Sequence, residues 1–338
     1  MYEVTEANVK RILDHHRGGS TIIAEFSQIH LHGFGAFTPS RTYYVCVDDG
    51  TSYIMKTAAP TSTDSGNYSP NSLETEHALL KIVASQTNLP IPAIYAFDIS
   101  ATRVPFSYLL LAHSKGVPLT LARASGKLSP RQAALLDLRL GSYLKQLHER
   151  VQNDWFGFPT QAKDELYSWQ EAFTLLFETV LEDAREAGVA LPYEDVRRYL
   201  SRAIGFFLFD DCEVPSLVSF TGDEDSVLVD FDLISGVPED REIQVTSFVS
   251  VGHALWGDPL LETLFLEPSA AFVEGYGGPL VVFARQKTKR LWYTLFLALV
   301  ILVQAKRPGL EEGDHEKVNW AKETAEKSVV ALKDAPCY

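Results

Sequence analysis

Apolar positions recur along the chain with two different periods. From Thr5 to His16, Val9, Ile12 and Leu13 fall at helical spacing and Gly18-Gly19 offers a terminator, so the first element is predicted to be a helix. A strand region follows. Tyr43, Val45 and Val47 alternate with Tyr44, Cys46 and Asp48, Asp49-Gly50 supplies a turn, and Tyr53-Ile54-Met55-Lys56 runs back, which together read as a hairpin. Thr61 to Ser72 is rich in Ser, Thr, Asn, Gly and Pro and reads as a solvated loop. Leu73 to Val83 returns to helical spacing, until Leu89-Pro-Ile-Pro92 breaks it, and strands are predicted at Ala93 to Phe97 and Tyr108 to Ala112.

Beyond Gly116 the pattern becomes mainly helical. Ser129-Pro-Arg-Gln132 has the form of a capping box with proline at the first helical position, and Leu136, Leu140, Leu144 and Leu147 mark one stripe after it. Ser168-Trp-Gln-Glu171 repeats the device before Phe173, Leu176 and Val180, and further helices are predicted at Tyr193 to Leu208, Leu291 to Gln304 and Trp320 to Leu332. The order predicts an α+β, two-lobe fold: an antiparallel-sheet lobe over 1–112, a hinge over 113–118, and a helical lobe over 119–338 with a β insert at 217–251. A cleft between lobes is the default ligand site.

Composition narrows the partners. The 30 basic and 44 acidic residues give a charge of −14, which disfavours nucleic acid and anionic membranes as partners, and no local basic run offsets it. The cysteines, Cys46, Cys212 and Cys337, are too scattered for a disulfide framework or a metal motif. Met1 to Lys10 lacks the form of a secretory signal, and the apolar run Leu291 to Val303 is too short to span a bilayer. A cytoplasmic protein is expected.

A more specific signal lies in the order of short motifs: Asp49-Gly50 before Lys56, Glu76 on the next helix, Leu89-Pro-Ile-Pro92, Gly116-Val-Pro-Leu119, and Ala254-Leu-Trp-Gly-Asp-Pro-Leu-Leu-Glu262. Over about residues 30–300 this set resembles the aminoglycoside phosphotransferase family of the protein-kinase-like fold, particularly its fungal branch. The resemblance implies that Lys56 holds nucleotide phosphates, that Glu76 fixes the lysine head, and that Gly33-Phe34-Gly35 lies where a phosphate-covering loop belongs.

The catalytic loop departs from that family. The family reads His-x-Asp-x-x-x-x-Asn, then a second Asp after a hairpin; the first Asp accepts the hydroxyl proton while Asn and the second Asp hold Mg²⁺. Pro215-Ser-Leu-Val218 and Val227-Leu-Val-Asp230 bracket the loop without a gap, which puts Ser219 at the His, Thr221 at the catalytic Asp and Ser226 at the Asn. Counting back from Gly257-Asp258-Pro259 puts Ser250 at the metal-binding Asp. Neutral hydroxyls are poor bases and weak Mg²⁺ ligands, so the resemblance implies a pseudo-phosphotransferase with no metal and no cofactor. Another register makes Asp223 the base and turns Asp230 and Asp232 into ligands, at the cost of a loop deletion and the hairpin that follows.

Other candidates have plainer readings. Glu182, Asp183, Glu186, Glu194 and Asp195 read as a solvated acidic stretch, and Asp258 as the cap of a turn that begins at Pro259. His15, His16, His30 and His32 lack metal-ligand spacing, and Ser219 lacks a nucleophile-elbow motif. His253 is either a general acid or base or a buried wall residue. Three function classes follow. The preferred one is a cofactor-independent isomerase, cyclase or lyase of specialised metabolism, acting on a small organic substrate through Ser219, Thr221, Ser250 and His253. The alternatives are a non-catalytic binding or regulatory pseudokinase, and an active small-molecule kinase that uses Asp223, Asp230 and Asp232.

Overall fold

The computed structural model describes residues 2–59, 67–164, 166–248, 250–307 and 314–337, so the part of the predicted 61–72 loop before Asn67 lies outside the described residues. Helix α1 (Glu6–Arg17) begins where the Thr5 hydroxyl accepts the Asn8 amide at 3.3 Å and ends at Gly18 with φ +72°. Strands β1 (Ile23–Ile29), β2 (Arg41–Val47) and β3 (Ser52–Ala58) precede helix α2 (Leu73–Gln86), and β4 (Ile94–Asp98) and β5 (Ser107–Ala112) follow it. They form one antiparallel sheet in the order β1-β2-β3-β5-β4. The Asp49-Gly50 turn joins β2 to β3, as the sequence predicted.

Side-chain alternation sends the two faces of this sheet to different cores. Tyr108 and Leu110 pack with Val9, Ile12 and Leu13 of α1, while Leu109 and Leu111 pack with Leu79, Leu80 and Val83 of α2. β5 is therefore apolar throughout because both of its faces are covered.

The chain then passes through β6 (Val117–Pro118) into α3 (Leu119–Ala124), α4 (Pro130–Arg150), α5 (Trp169–Glu186) and α6 (Tyr193–Gly205). The α4 capping box forms as predicted, with Ser129 and Gln132 exchanging side chain to backbone hydrogen bonds. Short strands β7 (Ser216–Val218), β8 (Leu228–Val229), β9 (Val245–Ser247) and β10 (Leu255–Gly257) lead to α7 (Ala270–Tyr276), α8 (Ala284–Gln304) and α9 (His315–Asp334). β7 pairs with β10, and β6, β8 and β9 form a second small sheet.

This is the expected α+β arrangement of a sheet region and a helical region. The differences have local causes. α8 starts at Ala284, seven residues before the apolar run, because its first turns are polar: Arg285, Gln286, Lys287 and Thr288 carry no apolar period. α6 stops at Gly205 rather than Leu208, where Phe207 takes a positive φ of 52°. The aromatic side chains of α5 and α8, among them Trp169, Phe173, Phe177, Trp292 and Phe296, build the core of the helical region. Among the described residues no helix is long and apolar enough to cross a membrane.

Candidate functional site

β3 is the middle strand of the five, so Lys56 is not an edge residue. It points to the α2 side of the sheet, where its ammonium pairs with the Glu76 carboxylate. Glu76 is only 2% exposed, so a residue that helical periodicity alone leaves in solvent is buried by this partner.

The loop after β7 is anchored from below. Val218 pairs with Leu255 of β10, and the next amide, that of Ser219, donates to Glu262 Oε1 at 2.7 Å. Glu262 is 1% exposed; its Oε1 also lies 3.3 Å from His148 Nε2, while its Oε2 has no protein partner. The Ser219 hydroxyl donates to the carbonyl of Ser250, which ties the two chain passages of the site together. Thr221 is fully buried and its hydroxyl is unpartnered. The Ser226 hydroxyl donates to the Asp223 carbonyl at 2.7 Å. Ser219, Gly222, Asp223, Ser226 and Glu262 line a cavity of about 10 Å³, room for a single water molecule.

His253 is sealed as well. Its Nε2 lies 2.9 Å from the Phe37 carbonyl, which can only accept, so Nε2 carries the proton and Nδ1 accepts from Tyr68 Oη at 2.8 Å. Burial pushes its pKa down to about 4. The imidazole is thus neutral at pH 7 and both nitrogens are engaged. The Tyr68 segment is itself pinned by Asp183, whose carboxylate accepts the amides of Asn67 at 3.1 Å and Tyr68 at 2.8 Å. The acidic stretch is therefore not solvated throughout: Asp183 is 4% exposed, because these amides satisfy it.

β8 and β9 form the hairpin between the loop and Ser250, the connection that the displaced-acid register deletes. Asp230 pairs with Arg241 across that hairpin at 2.8 Å, and Asp232 caps its turn through the amides of Ile234 and Ser235. Of the three displaced acids, Asp223 meets the glycine turn: its Oδ2 accepts the Phe34 amide at 3.0 Å. A Cβ on Gly33 would lie 2.6 Å from Asp223 Oδ1, so glycine is what admits this approach, and its φ of +75° adds a second reason. Burial raises the Asp223 pKa above the ordinary carboxylate value, opposed by the Phe34 amide and Lys317.

The neighbouring Gly33 amide donates to Asp314 Oδ2 at 3.0 Å, across 281 residues of sequence. Asp314, Lys317 and His148 were not singled out by motif or periodicity, and Glu262 was given no role of its own. Glu262 stood at the end of a recognised motif, but no local pattern marks the other three as neighbours of the loop.

Mg²⁺ is normally held by one or two carboxylates together with water and phosphate oxygens. The sequence register puts the hydroxyls of Ser226 and Ser250 at the expected ligand positions, and among the described residues no group of three or more His, Cys, Asp or Glu could hold a metal. The amides of Gly33 and Phe34 face the carboxylates of Asp314 and Asp223.

Comparison with known proteins places the fold. A protein of Ralstonia eutropha assigned as an aminoglycoside phosphotransferase superposes with a TM-score of 0.63 at 12% identity, covering 99% of this chain and 100% of that one. APH(2″)-IIIa, solved with GDP and kanamycin, gives 0.60 at 16% identity over 96% and 99%. A Thermobifida fusca protein assigned as a fructosamine-3-kinase gives 0.59 at 16% identity over 96% and 99%. No curated protein sequence matches the chain. The phosphotransferase enzyme family matches residues 34–233, more than half of the sequence, from the glycine turn through the loop after β7 to the β8–β9 hairpin. By that match the chain belongs to the phosphotransferase enzyme family.

Proposed function

We propose that this family member does not transfer phosphoryl groups from a magnesium nucleotide and acts as a pseudo-phosphotransferase, a binding or regulatory protein whose ligand is a small organic molecule taken between the lobes. The observation that carries the reading is the state of the loop after β7. Thr221 stands where a general base is needed, is fully buried, and offers a neutral hydroxyl. Phosphoryl transfer depends on positioning and on neutralising charge, and Ser226 and Ser250 offer little of either to a metal. Lys56 and Glu76 remain as a mutually satisfied pair.

A second reading, a cofactor-independent isomerase, cyclase or lyase working through Ser219, Thr221, Ser250 and His253, draws support from one feature. The Thr221 hydroxyl is a buried polar group without a partner, and a ligand hydrogen bond would supply one. The binding reading is preferred because the Ser219 hydroxyl and both His253 nitrogens are committed to protein partners, and the cavity at Ser219 is water-sized. Calorimetry with ATP and Mg²⁺ tests the proposal. No metal-dependent heat is expected; micromolar, Mg²⁺-dependent binding, or release of ADP in the presence of a small alcohol or amine, would overturn it.

A further inference from the structure

At the end of the helical region where α8 starts and α9 stops, large apolar side chains stand in water. Phe283, the residue before α8, is 69% exposed, Val282 beside it is exposed as well, and Val330 of α9 is 75% exposed. These are not frayed ends. The Gln286 side-chain oxygen accepts the amides of Val282 at 2.8 Å and Phe283 at 2.9 Å, and Arg202 of α6 holds the end of α9 by donating to the carbonyls of Leu332 at 2.5 Å and Lys333 at 2.7 Å. Arg285 donates to the carbonyl of Phe207, which fixes that turn at the same end, with its ring 62% exposed on a backbone of φ +52°. A patch held this way has little left to order when it meets a partner.

Beside Phe283 a groove of about 280 Å³ runs between the two helices, lined by Ala284, Leu291, Ala331 and Pro336 together with Lys287 and Asp334. A cavity of about 150 Å³ already admits benzene, so the groove has room for a phenylalanine ring. Lys287 and Asp334 are exposed, and among the described residues neither has an ion-pair partner. A knob next to a groove, and a cation next to an anion, become self-complementary under a twofold axis, because what one copy offers the other receives. We propose that this face joins two copies of the chain, with Phe283 of each seated in the groove of the other and Lys287 of each against Asp334 of the second copy. A chain of net charge −14 repels its own kind, so the contact has to fall where charge is locally balanced, and Lys287 with Asp334 provides that balance. The area fits too. Phe207 and Phe283 leave about 200–330 Å² of aromatic surface in water. With Val282, Val330 and the groove walls they form the apolar centre of an interface, of which a stable one takes about 800 Å² from each partner and is completed by a polar rim.

Sedimentation equilibrium of the full chain from about 1 to 300 µM is expected to show a monomer–dimer equilibrium with Kd in the micromolar range. Phe283→Asp, Lys287→Asp and Asp334→Lys should each weaken the dimer about tenfold or more. The Lys287→Asp and Asp334→Lys chains, mixed one to one, should associate as tightly as the wild type, because every charge contact across the axis is then between opposite signs. A wild type that stays monomeric to the highest concentration overturns the proposal. So does a dimer that survives all three substitutions, or a pair of charge variants that does not recover on mixing. Adsorption of the monomeric wild type to phosphatidylcholine vesicles, lost in Phe283→Asp, would also overturn it, since a lipid surface would then be the occupant. All three substitutions change exposed side chains, and urea midpoints equal to the wild type's establish that the variants fold; if Phe283→Asp does not, the mixing experiment decides alone.

Discussion

Replacing His253 by glutamine removes a proton-binding group from a site where only the neutral form is tolerated. The folded pKa of about 4 lies below the ordinary 6.5, so between those values the unfolded chain binds the proton and the folded chain does not. The contribution is therefore fully present above pH 6.5 and is lost as pH falls toward 4. At pH 5 the imbalance is roughly thirtyfold, or about 2 kcal/mol relative to pH 7, and it saturates near 3 kcal/mol below pH 4. Because His253 is fully buried, solvent screening does not reduce that figure. The glutamine amide can keep the donor to the Phe37 carbonyl but leaves the Tyr68 hydroxyl short of an acceptor, so at pH 7 the variant should be less stable by about 1–3 kcal/mol. Urea denaturation of both proteins at pH 7 and pH 5 separates the effects. The wild type should lose about 2 kcal/mol more than the variant over that interval, since all other titrating groups are shared. An equal loss in the two proteins refutes the assignment of a sealed, neutral imidazole.

Three further predictions concern other positions in the fold. Thr221→Val removes an unpartnered hydroxyl at nearly constant volume and should raise stability by about 1 kcal/mol in urea unfolding; a loss of stability would show that the hydroxyl is paired. Lys56→Met strands the buried Glu76 carboxylate and should cost about 3 kcal/mol, whereas Lys56→Met/Glu76→Leu should recover at least half of it, and a double variant no better than the single one contradicts the pairing argument. Gly116→Ala should cost about 2–3 kcal/mol, because the residue has φ +144° and a Cβ there would lie 2.7 Å from the Val229 carbonyl. Thermal unfolding of that variant at wild-type temperature would show that the β6–β8 approach can relax.

What could be read in advance followed local chemistry. Ser129 and Ser168 announced their helices because a cap is a contact within four residues. The β2–β3 hairpin was legible because Asp49-Gly50 sits between alternating segments, and Lys56 took its place with it. α3 and α7 went unread because six and seven residues hold too little period to register. The site divides the same way. The ordered motifs brought Lys56 to Glu76 and Ser219 to Ser250, whereas Asp223 at the glycine turn and Asp183 beneath Tyr68 are satisfied by backbone amides more than a hundred residues away. A carboxylate in sequence does not disclose whether such an amide will meet it, so Asp183 read as surface and was found in the interior.

The bond between Gly33 and Asp314 also orders events during synthesis. Its partners are 281 residues apart, which at about 5–20 residues per second is roughly 14–56 s of translation. The sheet region can pair its strands long before then, but the Gly33 amide waits without its acceptor until the final helix emerges. On the ribosome, then, the nascent protein passes through a period in which every strand of its N-terminal sheet has been made and the Gly33 amide still has water in place of the Asp314 carboxylate.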